Sequence, residues 1–205
     1  MNEIFLSAQT PTCHVQYSMH IVDTTALSLE KYQDSSKLND CCKSGCQNYG
    51  RKWSCPPFAP QYEDFVRNYK NIKVILLKAE LSQFSYIKND YLKIKAANTI
   101  LKSRIDKTLR YFKNLDTNYI STGSCRLCKK CKRKENLPCA HPELMSYSFE
   151  SLGINVCKLT EELFDTELLW YSKNNLPLYT CVVAGLLSNN EFSSEKIVDV
   201  IKEYH

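Results

Sequence analysis

Four cysteines between residues 125 and 139 have the spacing of a metal-binding motif, C-x2-C-x2-C-x7-C. Gaps of two residues let successive thiolates reach one inorganic centre, and C-x2-C-x2-C is the run with which bacterial ferredoxins bind a [4Fe–4S] cluster. Zinc sites more often use two separated pairs of ligands, and for zinc His141 would be a reserve ligand. The spacing therefore favours an iron–sulfur cluster over zinc, and the predicted ligands are Cys125, Cys128, Cys131 and Cys139.

A second set of cysteines lies upstream, where the predicted metal ligands are Cys42, Cys46 and Cys55. Cys41 directly precedes Cys42, and we treat it as a spare because successive side chains tend to diverge. Three ligands leave an open coordination position, at which an iron can act as a Lewis acid on a substrate. The alternative for this set is a structural zinc site completed by a histidine.

The pairing of ligands between the two sets stays open. Cys55 is followed by Pro56, as is the remote fourth ligand of two-cluster ferredoxins. Cys55 could therefore complete the cluster begun by the C-x2-C-x2-C run, which would leave Cys139 for another site. The simpler assignment keeps Cys139 with its neighbours. We accordingly expect one or two [4Fe–4S] clusters, with zinc as the alternative.

Basic and aromatic residues are interleaved with both sets of cysteines. The basic ones in the second set are Arg126, Lys129, Lys130, Lys132, Arg133 and Lys134. Nearby cations would stabilise a reduced, negatively charged cluster, and they could also attract an acidic partner or phosphates. A solvated basic face with no special role is the plain alternative. In the first set, Tyr49, Arg51 and Trp53 could stack on a ligand or, more simply, pack the loop against the core.

The remaining candidates carry weaker signals. His14 and His20 fall on a predicted strand, and Glu150 follows the second set of cysteines as a conceivable acid or base. Cys13, Cys157 and Cys181 lie in apolar contexts and are interpreted as small core residues. Neither GxGxxG nor GxxxxGK[ST] occurs, so the usual nucleotide-binding signals are absent.

The elements that must position these residues follow from hydrophobic periodicity. Val15, Tyr17, Met19 and Ile21 alternate as in a half-buried strand, whereas the apolar residues of 88–114 recur at helical spacing. The predicted strands are residues 14–22, 72–77, 119–122, 154–159 and 178–187. The predicted helices are residues 61–70, 88–114, 142–152, 161–170 and an amphipathic C-terminal segment. We predict an α/β (or α+β) fold, a mixed central sheet flanked by helices, in a single domain over residues 1–205. Its two metal-binding loops are the first cysteine loop (residues 41–60) and the second cysteine loop (residues 124–142).

Length and composition restrict the class of protein. A chain of 205 residues can bury a hydrophobic core without disulfide bonds. Its 11 cysteines are an odd number, and their share of the residues is below that of a disulfide-rich scaffold. The start of the chain has no basic and apolar leader, and no segment reaches the roughly 18 apolar residues of a membrane span. We therefore expect a cytoplasmic protein with reduced thiols and no membrane contact.

The two cysteine loops also resemble a known family. The patterns C-x3-C-x2-YG-x2-W-x-CPP, from Cys42 to Pro57, and CRLCKKC-x7-CAHPE-x4-S-x-E-x2-G-I-N-V, from Cys125 to Val156, are similar to those of the predicted metal-binding proteins called domain of unknown function 2284. The resemblance implies metal binding, and iron–sulfur in particular, in soluble proteins mostly of anaerobic microbes. It supplies no reaction.

The sequence thus predicts a [4Fe–4S] protein with a redox or electron-transfer role in an anaerobic pathway. Its expected partner is a redox protein or a small-molecule substrate. One alternative is an enzyme that uses an open-coordination iron–sulfur site as a Lewis acid. The other is a zinc-stabilised module that binds nucleic acid or protein, of which nucleic acid is the less expected ligand.

Overall fold

A six-stranded sheet forms the centre of the molecule in the computed structural model, which describes residues 3–11, 13–113, 116–173 and 175–203. The strands are β1 (Ile4–Gln9), β2 (His14–Thr25), β3 (Asn71–Glu80), β4 (Thr117–Ser121), β5 (Tyr147–Ser148) and β6 (Tyr179–Ser188). They lie in the order β1-β2-β3-β6-β4-β5, and β4 and β5 are parallel while all other neighbours are antiparallel. The prediction of a mixed sheet flanked by helices is confirmed.

Helices cover both faces of this sheet. They are α1 (Ser35–Gly45), α2 (Tyr62–Val66), α3 (Asp90–Phe112), α4 (Val156–Phe164) and α5 (Ser194–Glu203). The side chains of β3 alternate between two cores: Ile75 and Leu77 pack with α3 and α5, whereas Val74 and Leu76 pack with α2 and α4. Because both faces are covered, β3 and β6 read as nearly continuous apolar runs. None of the helices in the described ranges is long and apolar enough to cross a membrane.

The long helix α3 lies close to its predicted place. Its N-terminus is capped by Asn89, whose side chain accepts a hydrogen bond from Leu92 N, and the apolar stripe that includes Leu101 and Ile105 is buried against the sheet. Asn114, at the predicted end of this helix, lies outside the described residues. The strands predicted at 14–22, 72–77, 119–122 and 178–187 correspond to β2, β3, β4 and β6.

Three other sequence predictions were wrong. Residues 154–159 are not a strand: the side chain of Asn155 accepts hydrogen bonds from Cys157 N and Lys158 N and starts α4. Helix α4 also ends earlier than the predicted 161–170, at Asp165 in the left-handed conformation (φ 49°). Residues 142–152 are not one helix but two short 3-10 turns, Pro142–Leu144 and Glu150–Leu152, on either side of β5. Pairing of β5 with β4 outweighs the helical spacing of the apolar residues there.

The first cysteine loop is also less irregular than predicted, because α1 extends through Cys41 and Cys42. The start of α1 is fixed against the turn Glu150–Leu152: Asp34 N donates to Gly153 O at 2.8 Å. Gly153 has φ 90°, and a Cβ atom there would overlap the Ser35 side chain. A glycine at this position therefore brings α1 close to the turn that follows the second cysteine loop.

Candidate metal centre

The second cysteine loop is the connection between the parallel strands β4 and β5 at one edge of the sheet. Its start is held by Asp106 of α3, whose carboxylate accepts hydrogen bonds from Thr122 N at 3.2 Å and from Arg126 Nη2 at 2.8 Å. Residues 122–131 contain no helix or strand. The loop then enters a 3-10 turn, Lys132–Glu135, which Asn136 ends in the left-handed conformation (φ 56°).

The four predicted cluster ligands line one cavity. The lining residues are Cys125, Cys128, Cys131 and Cys139, with Trp53, Ser54, Leu127, His141 and Met145 around them. The cavity has a volume of about 20 Å³, which is room for about one atom-sized group. In the described ranges, no three cysteine, histidine or acidic side chains converge closely enough to hold a metal ion. The four thiols thus share one cavity within this irregular loop.

The donor set itself fits an iron–sulfur cluster. Four cysteine thiols from one loop can supply one ligand to each of four irons, and a zinc ion could instead take His141, on the same cavity wall, as a ligand. Cys55 is not among the residues that line this cavity. The arrangement therefore matches the simpler assignment, in which Cys139 belongs with the C-x2-C-x2-C run.

The first cysteine loop places its thiols in different surroundings. Cys42 lies in the last turn of α1 and Cys46 caps that helix, its N–H donating to Cys42 O at 3.0 Å. Cys55 is buried at the start of a tight turn in which Phe58 N and Ala59 N both donate to Cys55 O. Cys41 and Cys46 are exposed.

The pKa values of Cys42 and Cys55 are raised by burial and by neighbouring thiols. Burial raises the pKa of Cys55 to about 11; the neighbouring Ser54 hydroxyl opposes this rise, and the Cys46 and Cys42 thiols add to it. Burial also raises the pKa of Cys42, with further contributions from Cys46, the Glu150 carboxylate and Cys41. Glu150 also shares a cavity wall with Pro56 and Pro57 and therefore lies beside the first cysteine loop.

Residues 52–54 bind the two loops together. Lys52 Nζ donates to Ser124 Oγ and to Cys125 O, both at 2.9 Å. The buried Ser54 hydroxyl accepts a hydrogen bond from Cys125 N at 3.0 Å and lies 3.9 Å from Cys55 Sγ. Trp53 Nε1 donates to Leu137 O at 3.0 Å. Cysteine spacing does not indicate Lys52 or Ser54, and their place within three residues of Cys55 was the only signal in the sequence.

Aromatic packing strengthens the same junction. The Arg133 guanidinium lies over the rings of Phe58 and Trp53, at 4.3 and 5.3 Å from their centroids, and these two rings meet edge to face at 5.0 Å. Trp53 thus packs the two loops against each other. Tyr49 is half-buried and Arg51 is exposed.

Ion pairs within the chain neutralise part of the positive charge of the second cysteine loop. Lys130 and Lys132 both contact Glu135, at 2.9 and 3.2 Å, and Arg126 pairs with Asp106. In the part of the chain that the structure describes, Lys129 and Lys134 have no ion-pair partner. The free basic surface is therefore smaller than the six cations of the sequence indicate.

The other candidate residues lie apart from both loops. The interpretation of Cys157 as a core residue was wrong, because it is exposed on α4, and Cys13 is only half-buried. Cys181 is half-buried on β6, and burial raises its pKa to about 12. His20 contacts Glu3 at 3.2 Å on the outer part of the sheet, and His14 is exposed.

One family model matches residues 25–184 of the chain, and its family is described as predicted metal-binding protein (DUF2284). The chain belongs to this family. The matched range contains both cysteine loops and the turn with Glu150, and the fold already described brings these three segments together. No curated protein and no solved structure shows significant similarity to the chain. Family membership supports a bound metal, but it identifies neither the metal nor the reaction.

Proposed function

We propose that this protein is a cytoplasmic iron–sulfur protein with a redox or electron-transfer role in an anaerobic pathway. In this proposal Cys125, Cys128, Cys131 and Cys139 hold a [4Fe–4S] cluster, which when bound accepts and returns an electron. The observation that carries the proposal is that all four thiols of the motif line one cavity.

The protein's own residues fit this role. Trp53, Leu127 and Met145 give the cavity part of its apolar lining. Lys52, which donates to Cys125 O, brings a positive charge next to the ligand loop. A cation beside a negatively charged cluster favours the reduced form and raises the reduction potential.

Anaerobic purification followed by iron and acid-labile sulfide assays tests the proposal. We expect about four irons and four sulfides per cluster, with the brown colour and visible absorption of a cluster protein. A colourless protein with stoichiometric zinc and no sulfide would contradict the proposal and support the zinc-stabilised module instead.

An acidic redox protein is the partner that we propose for electron transfer. Lys129 and Lys134 are exposed beside the ligand cysteines, so that an acidic surface could approach the cluster there. Electron transfer to an acidic acceptor such as a ferredoxin-type protein should then slow markedly as ionic strength rises. Salt-dependent binding to RNA or DNA, with no salt effect on electron transfer, would point to the nucleic-acid alternative.

The first cysteine loop supports a second candidate function. Cys42, Cys46 and Cys55 would supply three ligands, and Glu150 is close enough to Cys42 to raise its pKa. A centre with three protein ligands and a nearby carboxylate is suited to Lewis-acid chemistry, with Glu150 moving a proton. Spectroscopy of Cys-to-Ser variants tests this candidate: one iron must prove labile, and a full set of cysteine ligands for every iron would exclude it.

A further inference from the structure

A cavity of about 340 Å³ lies between α3, β6 and the segment 168–171 that crosses over them. Its size falls in the range of small-molecule sites, which are concave, mostly apolar and equipped with a few polar groups. The polar groups on its wall include Asn98, Lys102, Thr122, Glu150 and Thr180. None of these residues is a predicted metal ligand, so the cavity is distinct from the two cysteine loops.

Lys102 is the cation of this cavity. The side chain is half-buried on the inner side of α3, and its ammonium lies 3.8 Å from the position that a Cβ atom would take at Gly123. Among the described residues, Lys102 and Glu150 have no ion-pair partner and do not pair with each other. Burial lowers the pKa of Lys102, Glu150 and Asp106 act to raise it, and the nearby Arg126 guanidinium lowers it further. A half-buried ammonium without a partner is a site for an anionic group.

Aromatic rings surround the mouth of the cavity. Tyr91, Trp170 and Tyr171 line it although 51%, 69% and 39% of their respective surfaces are exposed. The rings of Tyr91 and Tyr171 lie 5.8 Å apart, from α3 and from the crossing segment. Exposed aromatic side chains grouped at one opening provide flat surfaces for a planar ligand.

The charges on the wall select among anions. Lys102 offers one positive charge, and the amide of Asn98, whose oxygen accepts a hydrogen bond from Thr180 Oγ1 at 3.2 Å, still has N–H groups to donate. Glu150 on the same wall would repel a doubly charged phosphate. One cation, one amide and a neighbouring carboxylate therefore match a monovalent carboxylate better than a phosphate.

We propose that this cavity binds a small aromatic monocarboxylate. Lys102 receives its carboxylate, and Tyr91, Trp170 and Tyr171 cover its ring. The wall residue Glu150 also influences Cys42, and Thr122 and Gly123 lead into the second cysteine loop. A bound molecule would therefore lie next to Glu150 and next to Thr122, just before the second cysteine loop. That it is a substrate rests on the proposed function, whereas the binding itself does not.

Titration of the full-length, anaerobically purified chain with 2-naphthoate tests the binding, with the uncharged 2-naphthamide as a probe of nearly the same shape. Calorimetry and tryptophan fluorescence, which reports on Trp53 and Trp170, give the affinity. We expect saturable binding of naphthoate that Lys102→Met weakens about tenfold or more and Lys102→Arg largely restores, because a charge-assisted hydrogen bond is lost and regained. Binding of naphthamide should not change in either variant. Lys107→Met, at an exposed position of the same helix, is the matched control.

Trp170→Ala provides a second test that leaves the cation in place. This variant should bind both probes more weakly and lose most of the change in tryptophan fluorescence on binding. The proposal is overturned if the unmodified protein binds naphthoate no better than naphthamide, or shows no saturable binding at millimolar concentration. Unchanged naphthoate affinity in folded Lys102→Met, as judged by circular dichroism, overturns it as well. Because iron content is measured on the same samples, failure of the iron–sulfur proposal and failure of this one are distinguishable.

Discussion

The two cysteine loops differ in how they present their thiols. The second loop gathers four half-buried cysteines around one cavity in a stretch with little regular structure. The first loop distributes three over a helix end, an exposed cap and a buried turn. The two loops have a similar density of cysteines in the sequence. In the second loop the four thiols are exposed to a similar degree, whereas in the first loop their exposure differs from one cysteine to the next. Uniform ligands suit a cluster with one thiolate per iron, whereas unequal ones suit a centre with an incomplete ligand set.

Replacing one cysteine in each loop should give the largest difference. We expect Cys128→Ser to lose about four irons and the visible absorption of the cluster, because one of four ligands around a shared cavity is removed. Cys46→Ser should keep that cluster and lose only metal bound by the first loop. Iron, sulfide and absorption spectra of anaerobically purified variants measure both effects, and Cys157→Ser, an exposed cysteine outside the loops, is the control.

Replacing Cys139 and Cys55 in turn shows which of them is the fourth ligand of the cluster. Cys139 lines the cavity and Cys55 does not, so Cys139→Ser should reduce the same signal as Cys128→Ser, and Cys55→Ser should leave it. The opposite pattern would mean that Cys55 completes the cluster and that the two loops form one centre rather than two.

In the reduced, metal-free protein, the Cys55 thiol should react about a hundredfold or more slowly than an exposed thiol of the same loop. The thiolate is the reactive form, and raising the pKa of Cys55 from 9.0 to about 11 lowers its thiolate fraction at pH 8 by about a hundredfold. Burial slows the reagent further. Alkylation by iodoacetamide, followed by mass spectrometry, should therefore label exposed Cys46 first. Labelling of Cys55 should accelerate about tenfold per pH unit up to about pH 11; equal rates at pH 8 would mean that the first loop opens in solution.

The sequence predicted the fold best where hydrophobic periodicity coincides with burial. β3 and α3 were found because their apolar residues have one regular spacing and the tertiary structure keeps it. Residues 142–159 were assigned wrongly because short-range chemistry decides there. Asn155 caps α4, Gly153 adopts φ 90°, and β5 is held by its pairing with β4. Periodicity does not register such local hydrogen bonds.

The candidate site divides in a similar way. Cysteine spacing identified the thiols, because ligand spacing is a property of the local chain. Lys52 and Ser54 were not identified, because their role depends on contacts with residues more than 70 positions away. The cavity near Lys102 was missed for the same reason, since its walls come from α3, β6 and segment 168–171.

Ser54→Ala tests whether the two loops depend on each other. The change removes the buried Ser54 hydroxyl and leaves the half-buried Cys125 N–H without this acceptor, which costs about 1–3 kcal/mol of unfolding free energy. We also expect faster loss of iron to a chelator, because Cys125 would be held less firmly. Denaturant unfolding and chelation kinetics measure the two effects. Ser44→Ala, which removes an exposed hydroxyl bonded to Cys41 O, is the control. Unchanged iron loss would show that the loops hold metal independently.

Lys52→Met should have the smallest effect of the series. It removes two cross-loop hydrogen bonds, to Ser124 Oγ and Cys125 O, while keeping most of the aliphatic stem, so we expect a loss of about 1 kcal/mol. Ser124 and Cys125 remain partly accessible to water, which replaces the lost donor and limits the cost. The reduction potential of the cluster should fall, because a cation next to the reduced, more negative form is lost. Lys43→Met, on α1, is the control for loss of charge alone. A potential that shifts equally in both variants would mean that Lys52 acts only through net charge, and its contact with Cys125 would then have no part in setting the potential.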